Sequence, residues 1–255
     1  MEKSRPTLGN LSKIGLFFIC LLLSLKLGAT GLNAIADDFP PLSYSENGII
    51  TGYSTELLEA MLQSAKLNAP IALVPWARAY QTAVTQPNTL IYSTTQTAER
   101  KPLFEWIGPI TPRQQIFLYK LRERQDVQVN TLSDSYRYRI GLVREKAATR
   151  WLINIKELPQ KNIDYAPSTE SNLKKLQAQR IDLIVANHWT IAFLIKSGKV
   201  RADELEPVML LDNSNYYYFA INRNSDPALI RQLRNAFEAV KKSGQMEKLE
   251  QKYLR

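Results

Sequence analysis

Twice along this chain, apolar runs too short to be helices alternate with patterns of helical period. In the first set, Leu57, Leu58, Met61, Leu62 and Ala65 recur at helical spacing after Gly52, and Ile71 to Val74 reads as a buried strand stopped by Pro75. Residues 76–83 then read as a helix and Leu90-Ile91-Tyr92 as the next strand. The second set has strand patterns at 138–143, 163–165 and 181–186. Between them lie helical patterns at 147–154 and after Ser168, the latter carrying Leu173 and Leu176. Such β-α-β-α-β successions fold as parallel sheets with crossover helices. Extended segments at 114–121 and 216–221 separate and follow the two sets. The chain closes with a helix started by Asp226-Pro227, faced by Leu229, Leu233, Phe237 and Val240, and ended by Gly244. The expected fold is therefore α/β, a two-lobe clamshell whose chain crosses between lobes twice. Lobe 1 would take residues 35–115 and 217–255, and lobe 2 residues 116–216.

Ligands of open α/β sheets bind beyond the carboxyl ends of strands, here facing the crevice between lobes. Ser93-Thr94-Thr95 leaves the strand pattern of Leu90 to Tyr92, and Thr97-Ala98-Glu99-Arg100 follows. Hydroxyls and backbone N–H groups beside a guanidinium fork suit a carboxylate. The competing reading of Arg100 is a surface ion pair with Glu99 or Glu105.

Residues 1–34 read as a secretory signal. Lys3, Arg5 and Lys13 precede a nearly unbroken apolar run from Ile14 to Leu25, followed by small residues and the A-x-A-like triplet Ala34-Ile35-Ala36. The run is short for a membrane span, which needs about 20 residues. Cleavage after Ala34 or Ala36 would remove the chain's one cysteine, Cys20, and with it thiol and disulfide chemistry. Phe18-Ile19 before Cys20 does not suit lipid attachment. The chain carries a formal charge of +9, and residues 1–34 hold four Lys/Arg and one Glu, leaving +9 − 3 = +6. These charges are scattered rather than gathered into a basic stripe, which argues against nucleic acid as a partner. One histidine and no acidic cluster at ligand spacing argue against a metal centre or a Ser-His-Asp triad, and no cofactor is implied.

In order and spacing, Asp38-Phe39-Pro40-Pro41-Leu42-Ser43-Tyr44, Gly48 to Tyr53, Thr97 to Arg100 with Phe104, Arg180 to Leu183 and the tail around Gly244 resemble the extracytoplasmic solute-binding proteins of family 3. That resemblance covers almost all of the chain after the leader. It implies a type II periplasmic-binding-protein clamshell serving an amino-acid ABC transporter or a sensor, working as a monomer in the periplasm on a small carboxylate-bearing ligand. By the same resemblance Arg100 clamps the ligand carboxylate, Ser93 and Thr95 assist, and Tyr44 closes over it. Trp76 and Arg78, in a Pro75 to Tyr80 run found in members often lacking a known ligand, are crevice candidates.

Two departures stand out. Members that bind ordinary amino acids place Gly-Ser or Gly-Thr where this chain has Arg144-Glu145-Lys146-Ala147, and a second-lobe aspartate where it has Asn187, followed by His188. A neutral amide cannot balance a buried ammonium, so an ordinary α-amino acid is not the expected ligand. An enzyme on the same scaffold, resembling cyclohexadienyl dehydratase, would need a cleft acid, with Glu145 the candidate. A stand-alone binding protein without transport is the third reading.

Overall fold

A computed structural model of the chain describes residues 31–154 and 156–254, and residues 32–255 form one compact unit. The leader reading of residues 1–30, including Cys20, lies outside the described residues. Strands in chain order are β1 (Asn33–Ala36), β2 (Tyr44–Glu46), β3 (Ile49–Thr51), β4 (Ile71–Leu73), β5 (Thr89–Thr95), β6 (Phe104–Ile107), β7 (Ile116–Leu121), β8 (Ile140–Val143), β9 (Ile163–Ala166), β10 (Leu183–Asn187), β11 (Leu205–Asp212) and β12 (Tyr217–Asn222). Helices are α1 (Tyr53–Ala65), α2 (Trp76–Thr85), α3 (Ala147–Asn154), α4 (Thr169–Gln177), α5 (His188–Lys196), α6 (Pro227–Lys242) and α7 (Gln245–Tyr253).

Among the described residues these strands make two five-stranded sheets, ordered β4-β1-β5-β12-β6 and β11-β7-β10-β8-β9, and a β2-β3 hairpin. In each sheet the α/β set supplies the parallel part: β1 lies between β4 and β5, and β8 between β9 and β10. The chain passes from first sheet to second between Ile107 and Ile116, and returns between Asp212 and Tyr217. The two crossings run side by side, with Ile110 N–H donating to Tyr217 O and Gln114 N–H to Asn215 O, each at 2.9 Å. Each lobe is a two-lobe clamshell half with its own apolar core.

Three elements differ from the sequence reading. Ala34-Ile35-Ala36, read as a candidate processing site, forms most of an interior strand of the first sheet: Ala34 and Ala36 are buried, and Ala34 pairs with both Ile71 and Leu90. Cleavage after either alanine would take away half or all of a central strand. The 71–74 run is an edge strand with half-exposed side chains rather than a buried one. The sequence reading assigned nothing to β11, which carries Pro207 and tolerates it because the strand lies at a sheet edge, with register shifts beside Pro207 and Leu210.

The first helix starts where the sequence placed it because Gly52 has φ +115°, and a Cβ there would sit 2.7 Å from Leu42 O. Gly52→Ala is therefore expected to cost about 2–4 kcal/mol, combining left-handed strain with backbone overlap. Urea unfolding would measure it, and a loss below 0.5 kcal/mol, within the range of ordinary surface changes, would contradict the assignment. At the other end of the chain, Asp226 caps α6 through Ala228 N–H at 2.8 Å. Ile230, Leu233, Ala236, Phe237 and Val240 face the core, with Leu229 half-buried beside them.

Candidate functional site

The first sheet presents its functional side chains through a bulge. Between the pairs Tyr218↔Thr94 and Ala220↔Ile91, β5 spends two residues, Tyr92 and Ser93, against Phe219 alone. Ser93 takes φ 57° there, a conformation that costs a residue with a Cβ about 1–2 kcal/mol. Bulges of this kind re-aim side chains next to binding sites. Ser93 and Thr95 both reach the cavity described below.

Arg100 follows in a turn and is 1% exposed. Its guanidinium lies beside the Trp76 and Tyr80 rings, 5.4 Å from the first centroid and 4.9 Å from the second. Nη1 donates to Thr94 Oγ1 at 3.4 Å, Nη2 donates to the backbone carbonyl of Glu145 in the other lobe, and Nε has no partner. No carboxylate contacts this guanidinium among the described residues, and burial pulls it below the usual arginine range. A buried cation held only by neutral groups is poorly compensated. Such a group suits the docking of an anion.

A second cation enters from lobe 2. Lys146, in the turn between β8 and α3, places Nζ 2.8 Å from Asp37 Oδ2 and over the rings of Phe39 (4.1 Å) and Trp76 (4.3 Å). Its stem is partly exposed while the nitrogen is shut off from solvent. Burial pulls this ammonium below the usual lysine range, against the opposing pull of Asp37. Asp37 follows β1, at the carboxyl end of the central parallel strand, where such sheets bind ligands.

The groups surround a cavity of about 60 Å³ between the lobes, small beside the roughly 300–1,000 Å³ of common ligand pockets. Arg100, Ser93, Trp76 and Phe39 line it from one side and Lys146, Val143 and Asn187 from the other. Ser93 Oγ, Trp76 Nε1 and Arg100 Nε are all buried and unpartnered. A side chamber of about 340 Å³ adjoins it through Thr95, Ile116 and Ala147, with Gln114, Trp151 and Asp212 farther in. Further contacts join the lobes: Arg150 pairs with Glu99, and Thr190 Oγ1 donates to Pro40 O at 2.8 Å.

Residues 33–255 match the model of the bacterial extracellular solute-binding proteins, family 3. The chain belongs to this family. Among solved structures this solute-binding protein is similar to a histidine kinase sensor domain with similarity to periplasmic binding proteins. That match has a TM-score of 0.75 and 19% identity, and covers 88% of this chain and 96% of the other. It is also similar to the arginine-, lysine-, histidine-binding protein ArtJ of Geobacillus stearothermophilus, at TM-score 0.75 and 17% identity over 88% and 94% of the two chains. The GluR0 ligand-binding core of Nostoc punctiforme, in complex with L-glutamate, gives 0.72 and 17% over 87% and 98%. No curated protein matches the sequence.

In this solute-binding protein the expected residues Arg100, Ser93, Thr95, Trp76 and Asn187 come together around the cavity. Asn187, however, is occupied: Oδ1 accepts from Trp189 N–H at 2.9 Å, capping α5, and Nδ2 lies 3.3 Å from Tyr217 Oη. Tyr44 packs on Phe193 at 4.8 Å beside a separate groove, and burial pushes its hydroxyl up to about 12. The ring over the cavity is Phe39 instead. Arg78 is exposed on α2, and His188 points Nδ1 towards Gln115 O at 3.4 Å, outside the cavity lining, with burial pulling its imidazole below the usual range. Glu145 turns its carboxylate to Arg150 at 2.9 Å and offers Arg100 only its carbonyl. Of the Tyr216-Tyr217-Tyr218 run, in which one ring is expected to see the cleft, Tyr217 lines the cavity, while Asp37, Phe39 and Lys146 were not foreseen. The signal for these three was position alone, just beyond a strand of each lobe.

Proposed function

We propose that this solute-binding protein is a receptor that captures a small carboxylate-bearing solute between its lobes and releases it unchanged. One observation carries this reading: Arg100 is buried at the cavity with no carboxylate in contact with its guanidinium. A bound carboxylate would accept from the guanidinium fork, with Ser93 and Thr95 hydroxyls at hand. Closure would follow from contacts the solute makes with both lobes, since a ligand shifts an equilibrium only by its differential affinity for the two states.

The output is a membrane partner, either a permease or a sensor, that recognises the closed form of a monomeric receptor in the periplasm. Structures of both kinds of name support this pairing, one the substrate binding protein of an amino acid ABC transporter and one a kinase sensor domain. A thermal-shift screen against acetate, pyruvate, succinate, glutarate and benzoate tests the reading. Stabilisation by at least one of them, lost in Arg100→Met, is the expected outcome. Equal stabilisation of the variant would overturn it.

Export would be directed by the leader, cut so that β1 survives. Ala29-Thr30-Gly31 offers small residues at the required positions, and Leu32 is the first buried side chain. Mass spectrometry of the exported protein should therefore find a mature chain starting at Leu32 or earlier. A start at Ile35 or Asp37 would contradict this assignment.

A further inference from the structure

Asp37, Phe39 and Trp76 form, by their chemistry, a receptor for an ammonium group: one carboxylate oxygen at 2.8 Å and two ring faces at 4.1 and 4.3 Å. Aromatic faces with a carboxylate bind organic cations strongly when water is excluded. In this chain the occupant is its own Lys146, delivered from the opposite lobe. The neighbouring turn supplies the matching half, because the Glu145 carbonyl accepts from Arg100. Glu145 and Lys146 together thus present an oxygen acceptor to the guanidinium and an ammonium to the carboxylate, the two contacts a free amino acid would make.

We propose that Lys146 fills the ammonium subsite whenever the lobes are closed, so that the closed cleft selects carboxylates that bear no amino group. This rests on the carboxylate reading of Arg100 and narrows it to a substrate class: keto, hydroxy or plain carboxylic acids. The charge balance at the site agrees. Arg100 and Lys146 bring two positive charges against the one negative charge of Asp37, while Glu99 and Glu145 are both turned to Arg150, so a carboxylate entering the cavity meets an excess of cations there. A zwitterionic amino acid would leave it positive and would have its ammonium placed beside two cations. Asn187, tied to Trp189 and Tyr217, is a neutral amide and brings no charge to balance an ammonium.

The test uses the wild-type protein with Lys146→Ala and Asp37→Asn/Lys146→Ala. Removing the lysine stem beyond Cβ leaves the shape of propylammonium. Propylammonium should stabilise Lys146→Ala with a dissociation constant on the order of millimolar, whereas wild type and the double variant should not respond, and neutral 1-propanol should have no effect on any of them. A folded Lys146→Ala that ignores propylammonium, or a wild type that responds equally, would overturn the proposal. This arm does not involve Arg100, so its failure is separable from failure of the carboxylate reading. Should Lys146→Ala not fold, wild type is titrated with the pairs pyruvate and L-alanine, 2-oxoglutarate and L-glutamate, phenylpyruvate and L-phenylalanine. The deaminated member should bind at least tenfold more tightly. An amino acid that binds as tightly as its partner, or a panel in which no deaminated acid binds, would equally overturn it.

Discussion

Arg100→Met is expected to separate stability from function in opposite directions. Without ligand the variant should be as stable as wild type or more so, by up to about 4 kcal/mol, because a buried cation facing neutral groups gives way to an apolar chain of similar volume. The wild-type guanidinium has ring faces, a hydroxyl and one backbone carbonyl around it, and its Nε is left over. None of these brings a full negative charge. Affinity for a carboxylate should meanwhile fall by about two to three orders of magnitude, the loss of a charge-assisted pair worth roughly 3–4 kcal/mol in a site sheltered from water. Urea unfolding and calorimetry read the two effects independently. A variant that loses stability by several kcal/mol would mean that Arg100 is chiefly structural.

Asp37→Asn should have the opposite character. It strands the Lys146 ammonium among Phe39 and Trp76 without its counter-charge, and removing one member of such a buried pair costs about 3–5 kcal/mol. Adding Lys146→Met should return most of that loss, because the orphaned charge is then gone and the stem volume is kept. The coupling from the double-mutant cycle should exceed 2 kcal/mol, well outside the additivity of independent sites. Simple additivity would show that the ion pair is incidental to holding the lobes together.

Much of this architecture is legible in the sequence because both sets of strands and helices follow their hydrophobic period without interruption. Leu57, Leu58 and Met61 point into the core as their spacing requires, and Leu173 and Leu176 do the same in the other lobe. Where period and local chemistry conflict, the sequence misleads. Ala34 and Ala36 look like a processing site because small side chains are also what lets a strand sit between two parallel neighbours under a helix. Pro207 looks like a breaker, yet the outer edge of a sheet needs no N–H there.

The candidate site is half legible. Arg100, Ser93 and Thr95 lie within eight residues of one another at a strand end, so the chain itself announces them. The pair Asp37 and Lys146 is not announced, because only the approach of two lobes brings a residue after β1 to one after β8. The choice of Phe39 over Tyr44 is of the same kind. Both rings lie in one short segment, and the Phe39↔Ser43 bridge turns the first towards the cavity and the second towards Phe193.

The claim that a carboxylate docks on Arg100 is tested most directly by calorimetric titration of the wild-type protein with the most stabilising acid of the screen and with its uncharged carboxamide. The acid should bind at least a hundredfold more tightly, since the two differ in the charge that the buried guanidinium lacks. An amide that binds as tightly as the acid would contradict the account.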